Sequence, residues 1–378
     1  MARGLSVAMR ALAVAAVALL LAGPRGPMLS AADNDAQIPV RRLAMTGVNL
    51  AGGEFGGEGR PLVVNRDYVY PDGAAAAPFL AAGMNIARVP IRWENIQRAP
   101  LALLDPEEMA HVDAALAALA GFRWIVLDIH NYARFQGVRL TDDDRSAAML
   151  ANLWGQLARR CRGNPRLVFG LMNEPVDVSA AAWRRIAEAS VLAIRRTGAR
   201  NLILVPGTNW SGAHSWTTGG AQSNAAAMAG FRDPGNRFAF ELHQYLDRDS
   251  SGTNPECVGR KEAVDRLRAA TAWLEAQGAR GFLGEFGSGP GRDCLDSLEG
   301  MLDHLERHSR AWIGWTAWAG GAWWGDNPFS LQPDGGGRSK PQLLVLRRHV
   351  RTDATKTGLI RDRDTGPNAT GQPADAGG

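Results

Sequence analysis

Short β-rich apolar runs alternate along this chain with longer stretches in which apolar residues recur at helical spacing. The runs fall at 43–50, 85–90, 124–130, 167–173, 202–206, 238–243, 281–285 and 311–317. Helical patterns at 106–120, 146–162, 180–197, 260–277 and 293–310 lie between them, and a last helix is predicted at 340–350. Such alternation marks βαβ units and a parallel sheet. Eight repeats of the unit favour closure, so the predicted fold class is α/β, a (β/α)8 TIM barrel in a single domain. A glycine-rich nucleotide fingerprint opening a helix after the first strand would argue instead for an open, doubly wound sheet. Gly52-Gly53-Glu54-Phe55-Gly56-Gly57 is glycine-rich but runs into Arg60-Pro61-Leu62, so it reads as a loop with weak phosphate-binding potential.

The ends of the chain break this pattern. Arg3 and Arg10 precede an apolar run at 11–22, and Leu29-Ser30-Ala31 offers small residues before the polar Ala32-Asp33-Asn34-Asp35. A run of that length is short for a bilayer span, which needs about 20 apolar residues. Residues 1–31 are therefore predicted to be an export signal, with an uncleaved anchor as the alternative. The barrel is expected to occupy 32–351, and the Gly-, Pro-, Asp- and Thr-rich 352–378 to be a disordered tail. No fused binding module is expected at either end.

Loss of the signal changes the charge. Arg3, Arg10 and Arg25 precede Asp33 and no acid does, so the formal net charge falls from +4 to +1. A nearly neutral chain without basic runs interleaved with aromatics offers nothing to nucleic acid. Localisation is expected to be extracellular or periplasmic, with no membrane association after cleavage and a monomer as the default. Of three cysteines, Cys161 sits in a helical pattern, whereas Cys257 and Cys294 lie in polar loop sequence and form the candidate disulfide of an exported protein. Spacing of the CxxC type is absent, so neither a metal nor a cofactor is expected.

In a barrel of this kind the reactive residues gather where strands end. The polar strand ends are Arg88, His130, Asn173-Glu174, His243 with Tyr245, and Glu285, with Trp318 following the eighth run. Retaining glycoside hydrolysis needs two carboxyl groups about 5–5.5 Å apart, one to attack the anomeric carbon and one to protonate the leaving oxygen. Glu174 and Glu285, after strands four and seven, can face each other across the barrel mouth. Arg88 and the Tyr245 hydroxyl are expected to keep Glu285 ionised as nucleophile, and burial beside Glu285 to keep Glu174 protonated as acid/base. Pro175 is expected to hold Glu174 in extended backbone. Asn173 is expected to bond the sugar hydroxyl beside the reacting carbon, and His130 and His243 to orient substrate or the carboxylates. A lone histidine is usually a satisfied core residue, but strand-end position in this company favours the site. Asp128 and Glu241, two residues before these histidines, share their strand faces and read as deeper, paired structural acids. Glu54 and Glu94 are loop acids with no evident partner.

Twelve tryptophans against four tyrosines suit a sugar polymer, whose C–H faces stack on indoles. Trp93, Trp210, Trp216, Trp318, Trp323 and Trp324 fall in loops after strands, and Trp318 and Trp210 are the preferred stacking platforms. Trp124, Trp154, Trp183, Trp273 and Trp312 sit inside strand or helix patterns and are expected in the core.

At these residues the chain resembles glycoside hydrolase family 5. Asn173-Glu174-Pro175 is similar to the family's acid/base motif, and Leu283-Gly284-Glu285-Phe286-Gly287 to its nucleophile strand. Arg88-Val89-Pro90, Asp128-Ile129-His130-Asn131-Tyr132, His243-Gln244-Tyr245 and Trp315-Thr316-Ala317-Trp318-Ala319-Gly320 follow in the family's order, from about Thr46 to Asp334. Gly47-Val48-Asn49-Leu50-Ala51-Gly52, His130-Asn131-Tyr132-Ala133-Arg134-Phe135 and His243-Gln244-Tyr245-Leu246-Asp247 resemble the endoglucanases shared by filamentous fungi and bacteria. The resemblance implies retaining endo-hydrolysis of β-1,4-glucan, with Asn131 among the substrate contacts. It is consistent with the Cys257–Cys294 pairing, while Trp323-Trp324 departs from the fungal pattern. An endo-β-mannanase on the same barrel is the close rival. A non-catalytic glycan-binding barrel would lack one glutamate or its supports. A Schiff-base aldolase would need a strand-end lysine, and a metal-dependent hydrolase more ligands on strand one, where Asn49 stands.

Overall fold

The computed structural model describes residues 42–57, 62–141 and 144–350, which fall in one compact unit. The expected leader, 1–31, and the expected tail, 352–378, lie outside the described residues. Strands β1 (Met45–Leu50), β2 (Ile86–Ile91), β3 (Trp124–Ile129), β4 (Leu167–Gly170), β5 (Ile203–Pro206), β6 (Phe238–His243), β7 (Gly281–Glu285) and β8 (Trp312–Gly320) pair in sequence order, all parallel. Pairing of β8 with β1 closes the barrel. Helices α1 (Gly73–Ala81), α2 (Pro106–Ala118), α3 (Asp144–Cys161), α4 (Ala180–Arg196), α5 (Asn224–Met228), α6 (Arg260–Ala276), α7 (Arg292–Arg307) and α8 (Pro341–Arg348) each follow the strand of the same number. The (β/α)8 expectation is met.

Three helices were not legible in the pattern: α1, α5 and a single extra turn after β2, Trp93–Ile96. α1 is a run of alanines with Pro78 inside it and shows no apolar periodicity; its start is marked by Asp72, whose side chain accepts from the Ala75 amide. α5 is only five residues long. α2 carries the clearer signature, with Asp105 capping the Glu107 and Glu108 amides and Pro106 at the first helical position.

Barrel closure sorts each strand by its period of two. A lower inner layer of Ile86, Val126, Val168, Leu204, Ala239 and Phe282 takes one residue from each of β2 to β7. Two residues further up, the same faces carry Arg88, Asp128, Gly170, Pro206, Glu241 and Gly284. The barrel interior therefore passes from apolar to charged within one step of the pleat. Outside, helices pack through large side chains whose polar atoms are satisfied. Trp154 Nε1 donates to the Leu171 carbonyl (3.0 Å), Trp183 Nε1 to Pro206 (2.7 Å) and Trp312 Nε1 to Thr271 Oγ1 (3.0 Å). These three indoles are core, as expected, and Trp124 and Trp273 are half-buried against it.

Cys257 and Cys294 are bonded, joining the loop after β6 to the first turn of α7, and Cys161 is a buried free thiol on α3. No described helix is long and apolar enough to cross a membrane. A crosslink spanning 37 residues removes loop-closure entropy from the unfolded chain worth about 3–4 kcal/mol. A Cys257→Ser/Cys294→Ser variant is expected to lose about that much stability in urea unfolding. An unchanged midpoint would contradict a stabilising role.

Candidate active site

The site is built around Arg88, which is completely buried on β2. Its Nη1 donates to Glu285 Oε1 (2.8 Å) and to Asn49 Oδ1 (2.9 Å), and its Nη2 to Asn173 Oδ1 (2.8 Å). Ion pairs link Nη2 to Asp128 (3.2 Å) and Nε to Glu241 (3.0 Å). Asn49 is itself oriented, because its Nδ2 donates to the carbonyls of Gly284 (2.9 Å) and Thr316 (3.0 Å). Asp128 and Glu241 are thus the deeper, paired acids expected from their parity with the histidines.

Glu285 reaches the barrel interior through a break in register. Leu242 pairs with Leu283 but His243 pairs with Glu285, so one extra residue is accommodated in β7. A residue three positions after the inward Phe282 would otherwise face the helices, and the bulge turns it inward. Gly284 makes room beside it: a Cβ there would lie 2.2 Å from Glu241 Oε1. The second Glu285 oxygen accepts from the Tyr245 hydroxyl at 2.9 Å. Tyr245 is held by its loop, since Arg266 on α6 donates to the carbonyls of Tyr245 (3.1 Å) and Asp247 (2.6 Å). The Asp247 carboxylate caps the Gly252 and Thr253 amides.

Glu174 corrects one expectation. Its φ is +42°, in the left-handed region, rather than extended as Pro175 led us to predict. Such a conformation costs about 1–3 kcal/mol in a residue with a side chain and persists where neighbours over-determine it. Here Asn173 N donates to Ile129 O (2.7 Å) and Trp210 N to Pro175 O (3.2 Å), fixing the chain on both sides. One oxygen of Glu174, one of Glu285 and a nitrogen of His243 lie within 4.8 Å of one another. His243 Nδ1 bridges the pair, 2.8 Å from Glu174 Oε1 and 3.6 Å from Glu285 Oε2.

Five carboxyl groups, Glu54, Asp128, Glu174, Glu241 and Glu285, gather here against Arg88 and His243. Burial raises Glu174 above the carboxylate range and Glu285 adds to it, while His243 opposes. Burial pulls the His243 imidazole down, but Glu285, Glu174 and Glu241 outweigh it and push the group up to about 10. His130 goes the other way, drawn down to about 3 by burial. Neutral His130 faces Asp128 Oδ2 through Nδ1 at 2.7 Å. Burial lifts Asp128 to about 7 against the pull of Arg88. Burial also works against ionisation of Glu241, yet Arg88 and His243 together hold it below its ordinary value.

The aromatic residues divide. Trp318 stacks on His130 with ring centroids 5.7 Å apart and is propped edge-on by Trp324. The Trp318–Ala319 peptide bond is cis. Trp210 is 55% exposed on a left-handed run, Asn209–Ser211, beside Glu174-Pro175. Trp323 is exposed at the rim, whereas Trp93 and Trp216, also loop tryptophans in sequence, are fully buried core. Asn131 lies at the site but spends its amide on the protein, accepting from Trp93 N (2.7 Å) and donating to Glu94 (2.7 Å).

Beside His130 a cavity of about 350 Å³ is lined by Glu54, Glu94, Arg92, Asn131 and Tyr132. Glu54 was not recognised from the sequence. Its loop reads as glycine-rich, yet Gly52 N donates to Glu54 Oε2 (2.7 Å), so a carboxyl occupies the position where a phosphate would be held. Burial pushes Glu54 up to about 8, and its Oε1 has no hydrogen-bond partner among the described residues. Asn173 Nδ2 and Trp324 Nε1 are likewise buried without one. The only signal for Glu54 was an acid among glycines directly after a strand.

This geometry agrees with what the chain is similar to. Residues 46–321 match the model of the cellulase family, glycosyl hydrolase family 5. An endoglucanase of Neurospora crassa is 35% identical over 77% of this chain and 73% of its own, and endo-β-1,4-glucanase A of Emericella nidulans 34% over 77% and 87%. Among solved structures, XacCel5A in complex with cellopentaose superposes with a TM-score of 0.79 at 43% identity, covering 81% of this chain and 99% of that one. A second endo-β-1,4-glucanase, from Xanthomonas axonopodis pv. citri, gives 0.79 at 46% identity over 82% and 99%. A family match across most of the barrel, together with relatives of this likeness, makes the chain a member of the cellulase family, glycosyl hydrolase family 5.

Proposed function

We propose that this chain is an exported, retaining endo-β-1,4-glucanase in which Glu285 is the nucleophile and Glu174 the acid/base. The observation that carries the mechanism is the approach of the two carboxylates, with oxygens within 4.8 Å. Inverting enzymes hold theirs roughly 6.5–9.5 Å apart to admit a water. Glu285 attacks the anomeric carbon while Glu174 gives its proton to the departing glycosidic oxygen. Water then attacks the same carbon of the glycosyl-enzyme ester, Glu174 takes the water's proton, and Glu285 leaves as carboxylate.

The supports follow from the contacts. Arg88 and Tyr245 donate to separate oxygens of Glu285 and hold its carboxyl in position for attack. Burial raises the pKa of Glu174, which suits it to deliver a proton to the leaving oxygen. Charged His243 then stabilises the Glu174 carboxylate that remains. Asn173 has its oxygen on Arg88 and its Nδ2 unpartnered, which suits it to a sugar hydroxyl beside the reacting carbon. A protonated Glu54 carboxyl supplies a further donor in the adjoining cavity. Trp318 on one side and exposed Trp210 on the other let a chain run past the carboxylates in both directions, which supports internal cleavage. Relatives named for endo-β-1,4-glucanase activity, and one solved with cellopentaose, support glucan over mannan. The leader-like 1–31 and the disulfide support export.

Glu174→Ala is expected to lower turnover of β-glucan about 10²–10⁴-fold, with azide restoring turnover of an activated aryl glycoside. Glu285→Ala is expected to abolish it in a folded protein. NMR of cellohexaose cleavage is expected to show the β-anomer first; α-anomer first, or a higher kcat/KM on mannan than on glucan, contradicts the proposal. His243→Asn removes a cation and a hydrogen bond that lower Glu174, so the alkaline limb of kcat/KM is expected to move to higher pH. A limb that stays in place would remove His243 from that role. Trp210→Ala is expected to raise KM on polymeric glucan roughly three- to tenfold and to leave kcat nearly unchanged.

A further inference from the structure

The arginines of this chain recur at one point of the βα unit. Arg123, Arg166, Arg237 and Arg280 stand directly before β3, β4, β6 and β7, and Arg200 and Arg310 a few residues before β5 and β8. All strands of a parallel barrel start at the same end, so closure collects these side chains on the face opposite the catalytic carboxyls. Helix C-termini also meet that face, and their free carbonyls favour a cation. Some arginines answer to that explanation: Arg162 donates to Thr197 O and Arg166 to Leu119 O. Arg200, Arg232, Arg237, Arg280 and Arg310 do not. Their side chains are exposed and make no hydrogen bond or ion pair among the described residues.

These five guanidinium groups border an open depression of about 1560 Å³ whose lining, among the described residues, contains no Asp or Glu. Its floor is apolar, with Met45, Leu202, Phe238 and Ile313 half-buried. We propose that this face is a second, non-catalytic glycan site that takes an acidic polysaccharide bearing uronate carboxylates. Guanidinium forks match carboxylates in bidentate fashion, and an apolar floor suits the C–H faces of pyranose rings. A flat bilayer cannot follow a concave surface of this depth, whereas a flexible polymer can. Of the aromatic rings in this lining, Trp124, Phe238 and Trp273 are half-buried and the others buried. They leave no free ring face between the arginines for bases to stack on in succession, which disfavours nucleic acid. Strands of four to nine residues, most of them five or six, at about 3.3 Å each, separate the two faces by roughly 15–20 Å. Occupancy of this face therefore leaves the catalytic cleft open. The site would hold the enzyme in an acidic matrix surrounding its neutral substrate, and it stands on observations independent of the catalytic assignment.

The test compares the exported chain with its Arg237→Gln/Arg280→Gln/Arg310→Gln variant in native gels cast with polygalacturonate or with neutral dextran. The unsubstituted chain is expected to be retarded by polygalacturonate alone and released by about 0.5 M salt. The variant is expected to bind roughly tenfold more weakly or worse, with unchanged kcat/KM on neutral barley β-glucan and an unchanged Tm. Equal mobility of the unsubstituted chain in both gels overturns the proposal. So does equal retardation of the variant, or binding to phosphatidylglycerol vesicles or duplex DNA without binding to polygalacturonate.

Discussion

The Arg88 guanidinium is the constraint to which the rest of this barrel answers. A fully buried cation is several kcal/mol unfavourable unless it is well paired, and here hydrogen bonds to Asn49, Asn173 and Glu285 combine with ion pairs to Asp128 and Glu241. Those partners arrive from β1, β3, β6, β7 and the end of β4, so the guanidinium couples strands that are far apart in sequence. It also sets the charge balance of the mouth. With Glu54, Asp128 and Glu174 all raised by burial, the excess of carboxyl groups over cations is relieved by retained protons. A proton held on a buried carboxyl beside an ionised one is what general acid catalysis with a nucleophile requires.

Placing the two glutamates demands local irregularity. β7 departs from its ladder at Glu285, with a glycine beside it to clear Glu241, and Glu174 holds a left-handed backbone. A regular strand would send Glu285 outward. Each irregularity is supported by hydrogen bonds from neighbouring strands rather than by the residue itself, so the geometry belongs to the closed barrel.

The molecule is also polarised from end to end. Strand C-termini gather acids and two charged supports, while strand N-termini gather unpaired arginines. The small formal net charge of the chain, +4 in 378 residues, conceals this separation, because net charge records no position. A fold that brings all strand starts together turns a recurrent arginine into a continuous basic face.

Much of this was legible beforehand because it depends on short-range periodicity. Eight strands, most of the helices, the polar strand ends and the deeper parity of Asp128 and Glu241 follow from a repeat of two or of about 3.6. Cys257 and Cys294 were legible as a pair, although Cys294 stands in the first turn of α7 rather than in a loop. Tertiary structure alone decided what depends on distances across the barrel. It put Trp93, at the start of a short helix (Trp93–Ile96), and Trp216, in a turn, into the core although the sequence pattern places both in loops. It also committed the Asn131 amide to Glu94 and Trp93 N. It drew Glu54 into the cleft, and it overrode the extended backbone expected before Pro175. Sequence pattern determines which face of its own strand a side chain takes. Ring closure determines which other strands that face meets, and so which charges must share one buried space.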